Sequence, residues 1–259
     1  MPAFMRAVTS RESPFGHLWV FHDTVHDAHI LVNDTTWHGW QFRDAARLDE
    51  PTGYYVRGSP VASLIASLAP SAKIAVAGLG AGVMATLASR GHSLTFYEID
   101  PAVIELARDP DCFSFLARAS AAVTVIEGDA IERVTDAPAG AYDFIAMDAF
   151  SGDHVSEGML SDRAMERFVS RLAPNGMAAF HLTSTSRGLD HRPELARVSR
   201  GLACAVKDYR SPPLPRDPTL EIDEDLDLSA PVECRWAVVS RDAERVARLI
   251  AREGWSPLG

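Results

Sequence analysis

The chain has 259 residues, 25 Lys and Arg against 35 Asp and Glu, and a net charge of −10, with an isoelectric point near 5.3. Its 47% apolar and 23% charged content is that of a globular protein able to bury a large core, and no basic block is present that would suit nucleic acid or an anionic membrane. With no 18-residue apolar run, no leader pattern at the N-terminus, and three widely spaced cysteines (Cys112, Cys204, Cys234) lacking metal-ligand spacing, the sequence points to a cytoplasmic protein that does not contact membrane.

Residues 1–56 form the first unit. Segments 18–21, 28–32 and 37–42 read as strands separated by His22-Asp23 and Asn33-Asp34, a small antiparallel meander. A turn at 49–53 leads to Tyr54 and Tyr55, and Ser59-Pro60 opens a helix over 60–68. Residues 57–259 form the second unit, where strands and helices alternate. Strands are expected at 73–77, 93–98, 122–127, 142–147 and 177–183, with helices at 81–90, 101–108, 130–136 and 161–172 between them. That rhythm is an α/β, doubly wound, mostly parallel sheet. A helix over 190–202, strands at 203–209 and 235–240, and a helix over 241–252 complete the chain. The Pro- and acid-rich stretch 211–230 reads as a surface loop.

The chemistry gathers at strand ends. Gly78-Leu-Gly-Ala-Gly82 follows the first strand of the second unit, so Gly78, Gly80 and Gly82 make a tight turn where backbone can approach a ligand. The dinucleotide pattern requires a sixth-position glycine, and that position is Val83. The spacing is more usual for ligands of the S-adenosylmethionine type, which carry no pyrophosphate. Glu98 ends the next strand, placed to accept from two ribose hydroxyls; Asp129 follows the third strand, placed to accept from an adenine amine. Asp148 follows the fourth. One such acid is often only a helix N-cap, but three in phase at the C-terminal edge of an open sheet define a site.

With these residues in view, the chain resembles the spermidine synthase family of polyamine aminopropyltransferases, and in particular its divergent bacterial spermidine synthase-like branch. The likeness runs through Thr36-Trp-His-Gly-Trp-Gln41, Pro51-Thr-Gly-Tyr-Tyr55, the glycine turn, Tyr97-Glu-Ile-Asp-Pro101, Gly128-Asp-Ala130, Asp148-Ala-Phe-Ser-Gly-Asp153 and His181-Leu-Thr183. The resemblance implies an N-terminal β-unit packed on a Rossmann-like, methyltransferase-type domain with substrates between them. It implies aminopropyl transfer from decarboxylated S-adenosylmethionine to an amine such as putrescine, without a metal. Gln41 then matches a nucleoside-pocket glutamine, Glu98 the ribose acid, Asp129 the adenine acid, and Asp148 the base that takes the proton of the attacking amine. The family's turn carries Asp where Ala81 stands here, and its loop after the fourth strand carries a second Asp where Ser151 stands.

Two other readings remain open on the residues. Ala81 leaves room for a carboxylated cofactor, whose carboxylate the turn amides would favour, and methyl transfer would follow. A non-catalytic nucleoside-binding module is the third. His38 is a candidate to face the cleft, or else a strand-end histidine bonded to backbone. Of Tyr54 and Tyr55, one is expected in the core and the other, Tyr55, at the substrate. Asp153 and His154 lie where a lid would sit. His17, His22, His26 and His29 straddle a turn without completing a metal site. Pairing of two chains through the β-unit is compatible with the sequence.

Overall fold

The computed structural model describes residues 4–151, 154–155, 158–183, 190–213 and 227–258, with backbone alone at 150, 151, 154 and 155. The N-terminal unit is a four-stranded antiparallel sheet in the order β1 (Met5–Ser13), β2 (Gly16–Asp23), β3 (Ala28–Asn33) and β4 (Thr36–Phe42). The strand alternation predicts three of these. β1 is the addition, an edge strand whose residues are mostly exposed and which is held by its pairing to β2 rather than by an apolar face. Leu18, Val20 and Leu31 point into the same core as the central sheet, while Phe21, Ile30, Val32, Trp40 and Phe42 form a second cluster closed by Leu228. Alternation on paired strands explains why one sheet feeds two apolar clusters.

A 3-10 turn (Gly53–Tyr55) and α1 (Pro60–Ala66) link this unit to the central sheet. The Ser59 hydroxyl caps α1 by accepting from Ala62 N at 3.3 Å, with Pro60 at the first helical position. There follow β5 (Lys73–Ala77), a 3-10 segment (Val83–Leu87), β6 (Ser93–Glu98), α2 (Pro101–Arg108), α3 (Phe115–Arg118), β7 (Ala122–Glu127), α4 (Ala130–Arg133) and β8 (Tyr142–Met147). Then come the short β9 (Phe150–Ser151) and β10 (His154–Val155), α5 (Asp162–Arg171), β11 (Leu172–His181), α6 (Arg192–Val198), β12 (Ala203–Arg210), β13 (Glu233–Ser240), α7 (Ala243–Arg252) and β14 (Ser256–Pro257). The central sheet is eight-stranded in the order β14-β12-β13-β11-β8-β5-β6-β7. β7, β6, β5, β8 and β11 run parallel, and β13 is antiparallel to both neighbours. This is a Rossmann-like sheet of the methyltransferase type preceded by an antiparallel β-unit. Strand order reverses between β5 and β8, so the crevice beyond their C-terminal ends is the place for a ligand.

One predicted element differs in kind. The helix expected at 81–90 is only the 3-10 segment Val83–Leu87. Gly82 enters it in a left-handed conformation, and the Thr86 hydroxyl donates to the Val83 carbonyl at 2.9 Å, a local bond that competes with the α-helical ladder. No helix among the described residues is long and apolar enough to cross a membrane.

Candidate active site

The turn after β5 takes positive φ at Gly78 (97°), Gly80 (54°) and Gly82 (89°). A Cβ at Gly78 would stand 2.4 Å from the Asp148 carbonyl oxygen, and one at Gly80 would stand 2.4 Å from the His38 carbonyl oxygen. Glycine is therefore required where the turn presses on the end of β8 and on β4. These two contacts bring the turn, Asp148 and His38 into one region.

The turn amides, expected to face a ligand, are committed inside the protein. Gly78 N donates to the Tyr97 carbonyl (2.8 Å), Ala81 N to the His38 carbonyl (3.1 Å) and Gly82 N to the Leu79 carbonyl (3.0 Å). Leu79 N donates to Glu98 Oε2 at 2.9 Å. A carboxylate therefore loses the donors that the sequence reading offered it. Ala81 is fully buried with Gly39 against it: a Cβ on Gly39 would lie 3.1 Å from the Ala81 methyl. Small residues face each other there because the backbone of β4 lies directly on the turn.

Glu98, at the end of β6, is 8% exposed and directed at the turn. Besides Leu79 N it accepts from Asp100 N (2.9 Å) and from the Ile99 amide. Burial pushes its carboxyl above the ordinary value, against the pull of those backbone donors. Ile99, the next residue, is one of few large apolar side chains left exposed, so an apolar face stands beside the acid. Asp129 follows β7 and is exposed, and its Oδ1 accepts from Ile131 N at 2.8 Å as the N-cap of α4. The acid does stand on the expected edge, and it also carries the capping role.

Asp148 follows β8, its amide donating to the Ala77 carbonyl at 2.9 Å, and its side chain is 6% exposed. His181, the last residue of β11, places Nδ1 2.8 Å from Asp148 Oδ1. The Tyr54 hydroxyl donates to the same carboxylate. The His181 ring stacks on Trp236 of β13 (centroids 4.8 Å, 15°) and meets the Tyr54 ring at 4.2 Å. Burial raises the Asp148 carboxyl and the two donors lower it, with burial the larger effect. The nearby Cys234 thiol is pushed up to about 12 by burial first and then by Asp148.

The other candidates divide. Gln41 is buried and fully engaged: Nε2 donates to the Leu48 carbonyl and to Ser114 Oγ (both 2.9 Å), and Oε1 accepts from Ser114 N (2.8 Å). In this structure it braces β4 to the start of α3. His38 Nε2 is buried with no hydrogen-bond partner among the described residues, and burial lowers the imidazole to about 4, so it is neutral at pH 7. Tyr55 is half-buried with its ring 4.5 Å from Tyr54. Asp153 lies outside the described residues. The N-terminal histidines serve structure: His26 sits between Asp23 (2.7 Å) and Asp227 (3.3 Å), His22 bonds Asp27 (3.0 Å), and His29 Nδ1 bonds the Cys112 carbonyl (2.9 Å). A cavity of about 280 Å³ lies by β7, lined by Arg108, Phe113, Leu116, Val123 and Val125 among others, none of them in the turn or the acid row.

Tyr54 and His181 are the functional candidates that sequence reasoning did not assign. Each lies far along the chain from Asp148, and only the register of β11 against β8, with the return of the 53–55 turn, joins them.

No protein-family model matches the chain, and no curated protein matches it by sequence. Solved structures of the same fold do. A probable spermidine synthase from Corynebacterium glutamicum is 17% identical, covering 96% of this chain and 90% of its own, with a TM-score of 0.63. A spermidine synthase from Thermotoga maritima is 12% identical over 93% of this chain and 75% of its own, with a TM-score of 0.57. A spermidine synthase in complex with the transition-state analogue AdoDATO is 12% identical over 93% and 76%, with a TM-score of 0.60. A precorrin-6y C5,15-methyltransferase from Geobacter metallireducens is 16% identical over 72% and 90%, with a TM-score of 0.51. At these identities the likeness establishes a shared fold.

Proposed function

We propose that this chain is an aminopropyltransferase-like enzyme acting on an amine with a nucleoside sulfonium, decarboxylated S-adenosylmethionine, as donor. The observation that carries the reading is the placement of Asp148. It is a buried carboxylate at the strand-order reversal, its backbone against Gly78, on the same sheet edge as Glu98 and Asp129. The full-length likeness to spermidine synthases, one of them bound to AdoDATO, supports the same choice.

The residues fit an adenosine moiety in character. Glu98 offers an inward carboxylate to a ribose, Ile99 an apolar face, and Asp129 an exposed acid at the neighbouring strand end. Transfer needs little bond chemistry from the protein, because a sulfonium already leaves readily. The amine nitrogen bonds to the propyl carbon, the carbon–sulfur bond breaks with its electrons staying on sulfur, and the ammonium proton passes to Asp148. The protein's share is alignment and deprotonation.

Methyl transfer is the second reading, favoured by the likeness to the precorrin methyltransferase. The committed amides of Gly78, Leu79, Ala81 and Gly82 argue against a carboxylate held by the turn. The test is mass spectrometry of reactions with a panel of mono- and diamines. Methylthioadenosine formed from the decarboxylated donor supports aminopropyl transfer. S-adenosylhomocysteine formed from the carboxylated donor supports methyl transfer. Neither product from a protein that binds nucleoside would leave the non-catalytic module.

A further inference from the structure

We infer that His181 and Tyr54 are positioning residues for Asp148, two donors from separate elements that hold its carboxylate ionised and aligned inside a site closed by Trp236. The inference deepens the reading of Asp148 as proton acceptor and rests on it for its catalytic meaning.

A carboxylate that is to accept a proton must be charged before the substrate arrives. At 6% exposure, Asp148 has little water to keep it so, and burial alone favours the neutral acid. The fold supplies two protein donors instead. His181 Nδ1–H reaches Oδ1 at 2.8 Å from the end of β11, and the Tyr54 hydroxyl reaches the carboxylate from the link between the two sheets. The imidazole is fixed in plane: Trp236, fully buried, stacks on it at 15°, and the Tyr54 ring meets it at 4.2 Å. The titratable groups facing His181 are Asp148, Tyr54 and Cys234. The Tyr54 hydroxyl is raised well above its ordinary value and the Cys234 thiol to about 12, so both stay neutral at pH 7 and Asp148 holds the charge. His181 keeps its own Nδ1 proton throughout the step; the substrate proton goes to the Asp148 carboxylate.

The geometry also couples the base to the β-unit. Tyr54 belongs to the 3-10 turn that joins β4 to α1, so the alignment of Asp148 depends on how that unit is seated.

The test compares wild type with His181→Phe, which keeps an aromatic ring against Trp236 but removes the donor, with Tyr54→Phe, and with His181→Asn, whose amide donates from near the Nδ1 position. The first measurement is the Asp148 carboxyl titration, followed by carbon-13 NMR and assigned by the signal lost in Asp148→Asn. The midpoint is expected to rise by one pH unit or more in His181→Phe and in Tyr54→Phe, and to return toward wild type in His181→Asn. The second is the pH–rate profile. Its acidic limb should move up with the midpoint, so kcat at pH 7 falls about tenfold or more in His181→Phe, while affinity for methylthioadenosine changes less than twofold. An unmoved midpoint in a folded His181→Phe protein overturns the inference, whatever the activity. A moved midpoint in a protein that transfers no aminopropyl group supports the positioning and refutes the proposed function instead. Should His181→Phe fail to fold, the Tyr54→Phe midpoint decides the matter alone.

Discussion

Glu98→Ala removes an acceptor on which the glycine turn depends, as well as the acid assigned to the ribose. In the wild type two carboxylate oxygens take Leu79 N and Asp100 N, each at 2.9 Å, in a site 8% exposed. Alanine leaves both backbone donors without partners. A buried unsatisfied donor costs about 1–3 kcal/mol, so two cost about 4 kcal/mol. Removing a carboxylate that burial already disfavours returns part of this, about 1 kcal/mol on the scale of one pKa unit. The net loss is therefore about 3 kcal/mol. For a chain of this size each kcal/mol lowers Tm by about 2–4 °C, which gives a fall of about 6–12 °C. Circular dichroism melts at pH 7 measure it, and calorimetric titration with methylthioadenosine well below the lower Tm measures the loss of nucleoside affinity. A Tm within 2 °C of wild type would refute the claim that this carboxylate holds the turn. Unchanged nucleoside affinity in the same variant would refute its role at the ribose.

Asp148→Asn should leave methylthioadenosine binding largely intact and abolish transfer; normal turnover would show that another group takes the proton. The same variant carries a pH signature. The Asp148 carboxyl is raised above 3.8 in the folded state, so its contribution to stability is full below that unfolded value and is lost as pH rises through the folded one. The Tm of Asp148→Asn minus that of wild type should therefore increase as pH is raised from about 3.8, and a gap that shrinks would reverse the assigned direction. Ala81→Asp should destabilise by about 3 kcal/mol or more, read in urea unfolding, because the methyl is fully buried against Gly39 and a charge there has no partner. A stable Ala81→Asp protein would mean that β4 does not lie on the turn. His26→Ala should cost about 3–5 kcal/mol, since it leaves two buried carboxylates, Asp23 and Asp227, facing each other without the ring between them. A change below about 1 kcal/mol in urea unfolding would show that this bridge is not a fastening.

What the chain reveals by itself depends on how local the cause is. β5, β6, β7, β8 and α2 fall on their expected residues because apolar runs of strand length alternate with helix caps such as Pro101. Those strand ends carry the acid row with them, so the edge bearing Glu98, Asp129 and Asp148 was legible. β1 was not, since Met5–Ser13 has little apolar periodicity and becomes a strand through pairing with β2. The helix expected after Gly82 was lost to local hydrogen bonding by Thr86. The commitment of the turn amides to Tyr97, Glu98 and His38, and the engagement of Gln41 by Leu48 and Ser114, are long-range facts with no sequence signature. The same holds for the donors on Asp148: His181 and Tyr54 reach it only through tertiary packing.

The most direct test is a structure of the protein with methylthioadenosine bound. The account predicts the adenosine beyond the C-terminal ends of β5 and β6, both ribose hydroxyls within about 3 Å of the Glu98 carboxylate, and the sulfur on the Asp148 side. A nucleoside found only in the cavity beside β7, or none taken up at saturating concentration, would contradict it.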